Sequence, residues 1–186
     1  MKDVKRGIKL TLIFMIMLGV IYPLVMTGIS KIIFPSKSNG SLVYNNGLLI
    51  GSSLIGQQFT DGRWFQGRPS AVNYDPSKSG GTNLAMSNPE FTKELNKNIQ
   101  EFLSKNPTVK QQDIPTDILT ASASGLDPDI TVVSAKLQAA RVAKANGMTV
   151  DEVDKIIDNN KKGKFLGIFG QERVNVLTLN MQLLNR

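Results

Sequence analysis

Apolar residues dominate positions 10 to 30 without a single charge, and no other run of comparable hydrophobicity reaches that length. At a rise of ~1.5 Å per residue, a helix of these residues spans about 31 Å, the thickness of a bilayer's hydrocarbon core. A cleavable signal peptide has a shorter apolar stretch, ~7–15 residues, and ends in a small-residue site. Ser30-Lys31-Ile32-Ile33-Phe34-Pro35 offers no such site, so the run predicts a retained span. Pro23 removes one backbone bond near its middle and predicts a kink. Gly19 and Pro23 share a face, whereas Gly19 and Gly28 lie about 180° apart on a regular helix. The pattern divides the chain into a basic tail (1–9), a transmembrane helix (10–34) and one α+β domain (35–186).

Beyond a turn-rich linker from Pro35 to Ser41, shorter periods take over. Leu42-Val43-Tyr44 and Leu48-Leu49-Ile50 flank Asn45-Asn46-Gly47 and predict a β-hairpin, with Ser53-Leu54-Ile55-Gly56 as an extension of the sheet. Residues 63–88 are rich in Gly, Pro, Ser and Asn, and Trp64, Phe65 and Tyr74 mark this as an ordered loop. Ser87 and Glu90 have capping-box spacing ahead of a helix with the stripe Phe91, Leu95, Ile99, Phe102 and Leu103, ending before Pro107. Ile118-Leu119-Thr120 reads as a short strand, and residues 122–130 as a second loop. A helix follows from about Val132 to Asn146, with Gly147 as its C-terminal cap. Thr149 and Glu152 then open another, with Val153, Ile156 and Ile157 facing inward. Lys161-Lys162-Gly163-Lys164 is a solvated turn. Residues 174–181 alternate like a strand but also place Leu177, Met181 and Leu184 at helical spacing, and helix is preferred.

Charge decides orientation. Lys2, Lys5, Arg6 and Lys9 precede the span, opposed only by Asp3, while Lys31 and Lys37 follow it. The more basic flank stays in the cytoplasm, which places the domain outside the cell membrane as a single-pass protein. The net charge of +7 is concentrated near the span, and residues 36–186 carry only +3, no footprint for nucleic acid. The absence of Cys and His excludes thiolate and Ser-His-Asp catalysis and the usual zinc sites, and the sequence predicts no metal site.

Three local patterns suggest chemistry. Residues 137–153 place two capped helices around Gly147 like a DNA reader, but Asp151, Glu152, Asp154 and Asp158 would repel phosphates. Ser122 and Ser124 leave a membrane-anchored Ser-Lys hydrolase as the alternative function, although no Ser-x-x-Lys lies on a clear helix. Ser79-Gly80-Gly81-Thr82-Asn83 lacks the lysine of a P-loop.

Longer blocks carry a resemblance: Val20-Ile21-Tyr22-Pro23-Leu24, Gly51-Ser52-Ser53-Leu54-Ile55-Gly56-Gln57, Phe65-Gln66-Gly67-Arg68-Pro69-Ser70-Ala71 and Ser79-Gly80-Gly81-Thr82-Asn83-Leu84. Ser87-Asn88-Pro89, Thr120-Ala121-Ser122-Ala123-Ser124-Gly125-Leu126-Asp127-Pro128, Arg141-Val142-Ala143 and Val174-Asn175-Val176 with Leu179-Asn180 continue it. In this order, behind one span, the chain resembles the KdpC family, subunits of the bacterial potassium-transporting P-type ATPase. It departs from that pattern at Thr82, where a serine is usual, at Asp129, where a histidine is common, and at Thr131-Val132 in place of Ser-Pro.

The resemblance implies a non-catalytic accessory subunit with no cofactor of its own, in a complex that handles ATP and potassium. The implied partners are a channel-like potassium subunit (KdpA), a P-type ATPase subunit (KdpB) and a small membrane peptide (KdpF). It implies a role in assembly and as a catalytic chaperone that raises the ATP affinity of the ATPase subunit, with Gln138 as the matching ATP-related candidate. The charge rule places Gln138 outside, away from cytoplasmic ATP, so any effect on affinity would travel through subunit packing. Loops on a rigid scaffold commonly carry binding, which makes Arg68, Ser70, Tyr74, Gly80, Gly81, Asn83, Ser124, Gly125 and Asp127 the partner-contact candidates. Gly19, Tyr22 and Pro23 are the candidates for packing within the membrane.

Overall fold

The computed structural model describes residues 1–184, which fall into two compact units, residues 1–42 and residues 43 onward. The first is almost entirely helical. Helix α1 (Lys2–Ile16) and helix α2 (Tyr22–Ile33) are joined without a break by a π-helical turn, Met17–Ile21. The short helix α3 (Pro35–Ser38) follows. The basic tail expected at 1–9 is thus helical from Lys2. The whole helical stretch covers 32 residues and is long and apolar enough to cross a membrane.

The π turn is the structure's answer to Pro23. Proline has no N–H to donate, so the regular ladder must break just upstream. Here the Tyr22 N–H donates to Met17 O, five residues back, and the wider turn absorbs the defect. Thr27 Oγ1 donates to Pro23 O at 2.7 Å, a side-chain bond on the downstream turn.

The second unit mixes strand and helix, as the pattern predicts. Strands β1 (Leu42–Asn45) and β2 (Leu48–Ser52) form the hairpin, with Asn46 and Gly47 both at positive φ. The sheet does not continue through residues 53–56. Ile55 N–H donates to Ser52 O and Leu54 N–H to Ser52 Oγ, closing a turn that ends the strand.

Helix α4 (Pro89–Lys105) starts one residue later than its expected cap. Asn88, not Ser87, is the cap, and its Oδ1 accepts from Glu90 N–H at 2.9 Å. The strand expected at 118–120 is instead a 3-10 turn, Thr116–Ile118. Leu119 and Thr120 N–H both donate to Thr116 O, so no donor remains there for a ladder. Strand β3 (Asp129–Thr131) and helix α5 (Val132–Asn146) come next, with Thr131 Oγ1 capping through Ser134 N–H and Gly147 closing the helix at φ 65°. Helix α6 (Val150–Asn159) has the expected capping box of Thr149 and Glu152.

The ambiguous segment is both things at once: strand β4 (Arg173–Asn175), then helix α7 (Val176–Leu184). β4 pairs antiparallel with β3, with Ile130 opposite Val174. Helix α5 packs on both strands, α7 follows β4, and α6 packs against α5 and α7. Phe65, Ala135, Val142, Val153, Ile157, Val174 and Leu179 are fully enclosed in one apolar cluster. Four of the buried polar residues carry amides, Gln138, Asn106, Asn175 and Asn180, and the first two with Asn180 position the candidate site.

Candidate functional site

A buried amide in an apolar core must find hydrogen-bond partners or destabilise the fold. Gln138 on α5 and Asn180 on α7 find theirs in the same place, on two consecutive residues of the 62–84 loop. Asn180 Oδ1 accepts from Phe65 N–H at 2.8 Å, and its Nδ2 donates to Phe65 O at 2.9 Å. Gln138 Oε1 accepts from Gln66 N–H at 2.8 Å, and its Nε2 donates to Gln66 O at 3.1 Å. Each side chain imitates the partner strand that this extended backbone lacks.

Cationic and amide groups extend the clamp upstream. Arg141 donates to Gly62 O, Trp64 O (2.9 Å), Asn106 Oδ1 (3.0 Å) and Gln138 Oε1 (2.7 Å). Asn146 Nδ2 donates to Arg63 O at 2.8 Å. Burial lowers the pKa of the Arg141 guanidinium. These contacts hold residues 62–66 as a strap across α5. Phe65, drawn inward, is fully enclosed.

The downstream part of the loop meets the second loop. Arg68 Nη1 pairs with Asp127 Oδ2 at 3.1 Å, and the same guanidinium donates to Thr120 O and Ala121 O. Gly80 N–H donates to Ser124 O at 2.9 Å. Gly125 is held at φ 71°, and a Cβ there would stand 2.7 Å from Gly80 O, so only glycine fits. Gly81 lies against Ser122 O and the Ala123 backbone. Ser70 Oγ accepts from Val72 and Tyr74 N–H, and Tyr74 Oη donates to Arg68 O at 2.7 Å. Partial burial raises the Tyr74 phenol above its usual pKa. Asn83 sits at positive φ on the exposed rim.

The structure therefore brings most of the candidate contact residues into one loop-on-loop assembly. Their polar groups, however, largely face one another. Beside them lies an open polar groove of about 430 Å³, with Gln66, Ser70, Asn73 and Tyr74 on one wall and Asn98, Glu101 and Lys105 of α4 on the other. Gln138 lies apart from the groove, at 0% exposure with both ends of its amide engaged. Ser122 and Ser124 bond each other through their hydroxyls and the backbone N–H groups of Asp127 and Leu126. Among the described residues no lysine hydrogen-bonds either, so the serines serve as turn formers. Gly19, Tyr22 and Pro23 sit together at the π turn, exposed along the helix.

Sequence reasoning missed the clamp itself: Arg141, Asn146, Asn106 and Asn180. A signal existed. Gln138 and Asn180 fall on otherwise inward stripes, beside Ala135, Ala139 and Val142 and beside Val176, Leu177 and Leu179. A polar residue on such a stripe requires a buried partner.

Comparison with known proteins matches the chain to a family along nearly its whole length. Residues 4–185 fit the profile described as KdpC, K+-transporting ATPase, c chain. The chain belongs to the KdpC family. A relative from Caldanaerobacter subterraneus subsp. tengcongensis named potassium-transporting ATPase KdpC subunit is 57% identical over 98% of this chain and 95% of its own. KdpC subunits from Clostridium kluyveri and Clostridioides difficile are 46% and 44% identical, each over 98% of this chain and 93% and 97% of theirs. The coverage takes in both the apolar helix and the clamped domain, so this KdpC-family chain is a potassium-transport subunit with one helix able to span a membrane.

Proposed function

We propose that this chain is the accessory subunit of an ATP-driven potassium uptake complex, required for assembly and coupled to the ATP affinity of the ATPase subunit. The match to KdpC subunits along nearly the whole chain carries this reading. The N-terminus lies in the cytoplasm and the domain outside, by the basic flank of the span. The domain docks over the potassium entrance of the channel-like subunit, with the joined loops 63–84 and 122–130 on the contact side. The ATPase subunit and a small membrane peptide complete the complex.

The subunit supplies no catalytic group and holds no cofactor of its own. Its effect on ATP affinity is a coupling free energy transmitted through packing. The clamp supports this view, because Gln138 is engaged in holding Gln66 and a nucleotide would have to break four bonds to reach it. Removal of residues 36–186 with the span retained tests the reading. Loss of assembly or of potassium uptake is expected, and normal uptake overturns it. Protease treatment of intact cells tests orientation, with digestion only after lysis reversing it.

A further inference from the structure

Between α6 and β4 the chain makes an arm whose apolar side chains have no place in the core. Phe165, Leu166, Ile168 and Phe169 are 71%, 74%, 75% and 62% exposed, four large side chains in five residues. At roughly 150–200 Å² per side chain they present on the order of 500 Å², the size of patch that marks an interaction site.

The arm is built. At its base Lys162 and Arg173 exchange both backbone bonds, at 2.8 and 3.1 Å. Arg173 also pairs with Asp129 at 2.9 Å, and Lys161 with Glu172 at 3.4 Å. At its tip Phe165 and Phe169 exchange backbone bonds at 2.8 and 2.9 Å. The turn between them holds Leu166 at φ 52° and Gly167 at φ 75°. A leucine in the left-handed region is strained, and no internal packing compensates for it here. Such outliers are retained where a shape is used.

We infer that the 161–173 arm is the anchor by which this subunit docks into an apolar pocket, rimmed by carboxylates, on another protein subunit of its complex. The inference rests on the accessory-subunit reading above and adds to the joined loops a second, apolar docking surface. A fixed shape favours a protein pocket over a bilayer, because lipid accepts apolar groups of any shape while a pocket rewards a conformation set in advance. The area falls short of the ~800 Å² per partner of a standard interface, so the tip alone does not make a dimer of this chain. It is the right size for the buried centre of a larger contact, where aromatic anchors dominate. Exposed Lys162 and Lys164 stand beside it and select an acidic rim.

The test uses the assembled complex in native membranes, with a benzophenone amino acid in place of Ile168. Irradiation followed by mass spectrometry is expected to give an adduct with another protein subunit of the purified complex. An adduct with lipid or with a second copy of this chain overturns the inference, as does no adduct. The Phe165→Ser, Phe169→Ser double variant is expected to lower subunit co-purification by about tenfold with the domain's thermal transition unmoved. Normal co-purification by that variant, when the 36–186 deletion still fails to assemble, overturns the arm and leaves the accessory-subunit reading standing. Normal assembly of the deletion removes both.

Discussion

Two glycine-rich connections of the same domain are put to opposite uses. The 62–66 strap has its backbone satisfied from within the fold by Gln138, Asn180, Arg141 and Asn146. The 161–173 arm satisfies its own backbone and turns its apolar groups outward. The first seats Phe65 in the core despite having no regular secondary structure. The second behaves as surface despite a composition fit for a core. Exposure, rather than loop character, separates a structural connection from one open to a partner.

The largest expected effect lies on the strap. Asn180→Ala leaves Phe65 N–H and C=O buried without partners, which costs about 2–4 kcal/mol. Thermal unfolding of the full chain in detergent, followed by the fluorescence of its single tryptophan, Trp64, reads this directly. An unchanged midpoint would break the contrast with the arm. Next is Gly125→Ala, where the 2.7 Å approach to Gly80 O and the positive φ together cost about 1–3 kcal/mol. It parts the two loops, and a loss of stability without loss of assembly would detach them from docking.

Asp154 gives a smaller change of opposite sign. Its Oδ1 is buried with no hydrogen-bond partner, and desolvation raises its pKa, as do Asp158 and Asp151, against the opposing pull of Lys136. A raised carboxyl pKa in the folded state means that ionisation opposes folding. The penalty is absent below the unfolded pKa of ~3.9 and grows as pH rises through the folded value. Asp154→Asn is therefore expected to stabilise slightly at pH 7, by about a few tenths of a kcal/mol once solvent screening is counted, and the gain should vanish below about pH 4 in a pH series of melting curves. The smallest effect belongs to the arm. Leu166→Gly relieves the left-handed strain and shifts stability by no more than this, while the co-purification assay registers the lost side chain.

Much of the scaffold was legible because its signals are local. Asn46-Gly47, Thr149 with Glu152, and Gly147 each dictate a turn or cap within a few residues, and the structure places them there. Asn88 took the cap expected of Ser87 because Pro89 is pre-set for the first helical position and the residue before it becomes the natural cap. Long-range pairing was not legible. Strand β4 exists because Val174 faces Ile130, 44 residues earlier, and no window over 174–181 contains that fact. The clamp joins Phe65 to Asn180 across 115 positions. The arm hid for a different reason: apolar residues in sequence do not say whether anything packs over them, and only the exposure of Phe165, Leu166, Ile168 and Phe169 reveals that this stretch is uncovered.

The π turn at Met17–Ile21 puts the two halves of the long helix out of phase. Each α-helical residue advances the side chains by ~100°, and one extra residue in a turn offsets the upstream stripe from the downstream one by about that angle. A neighbouring membrane helix that follows the stripe of α2 would meet another face of α1. Excising Val20 together with Pro23→Ala would bring the halves back into phase and swing residues 2–16 by about 100°, with little change in length. The proline thus acts as an angular spacer: it sets which faces of one helix two different neighbours can share.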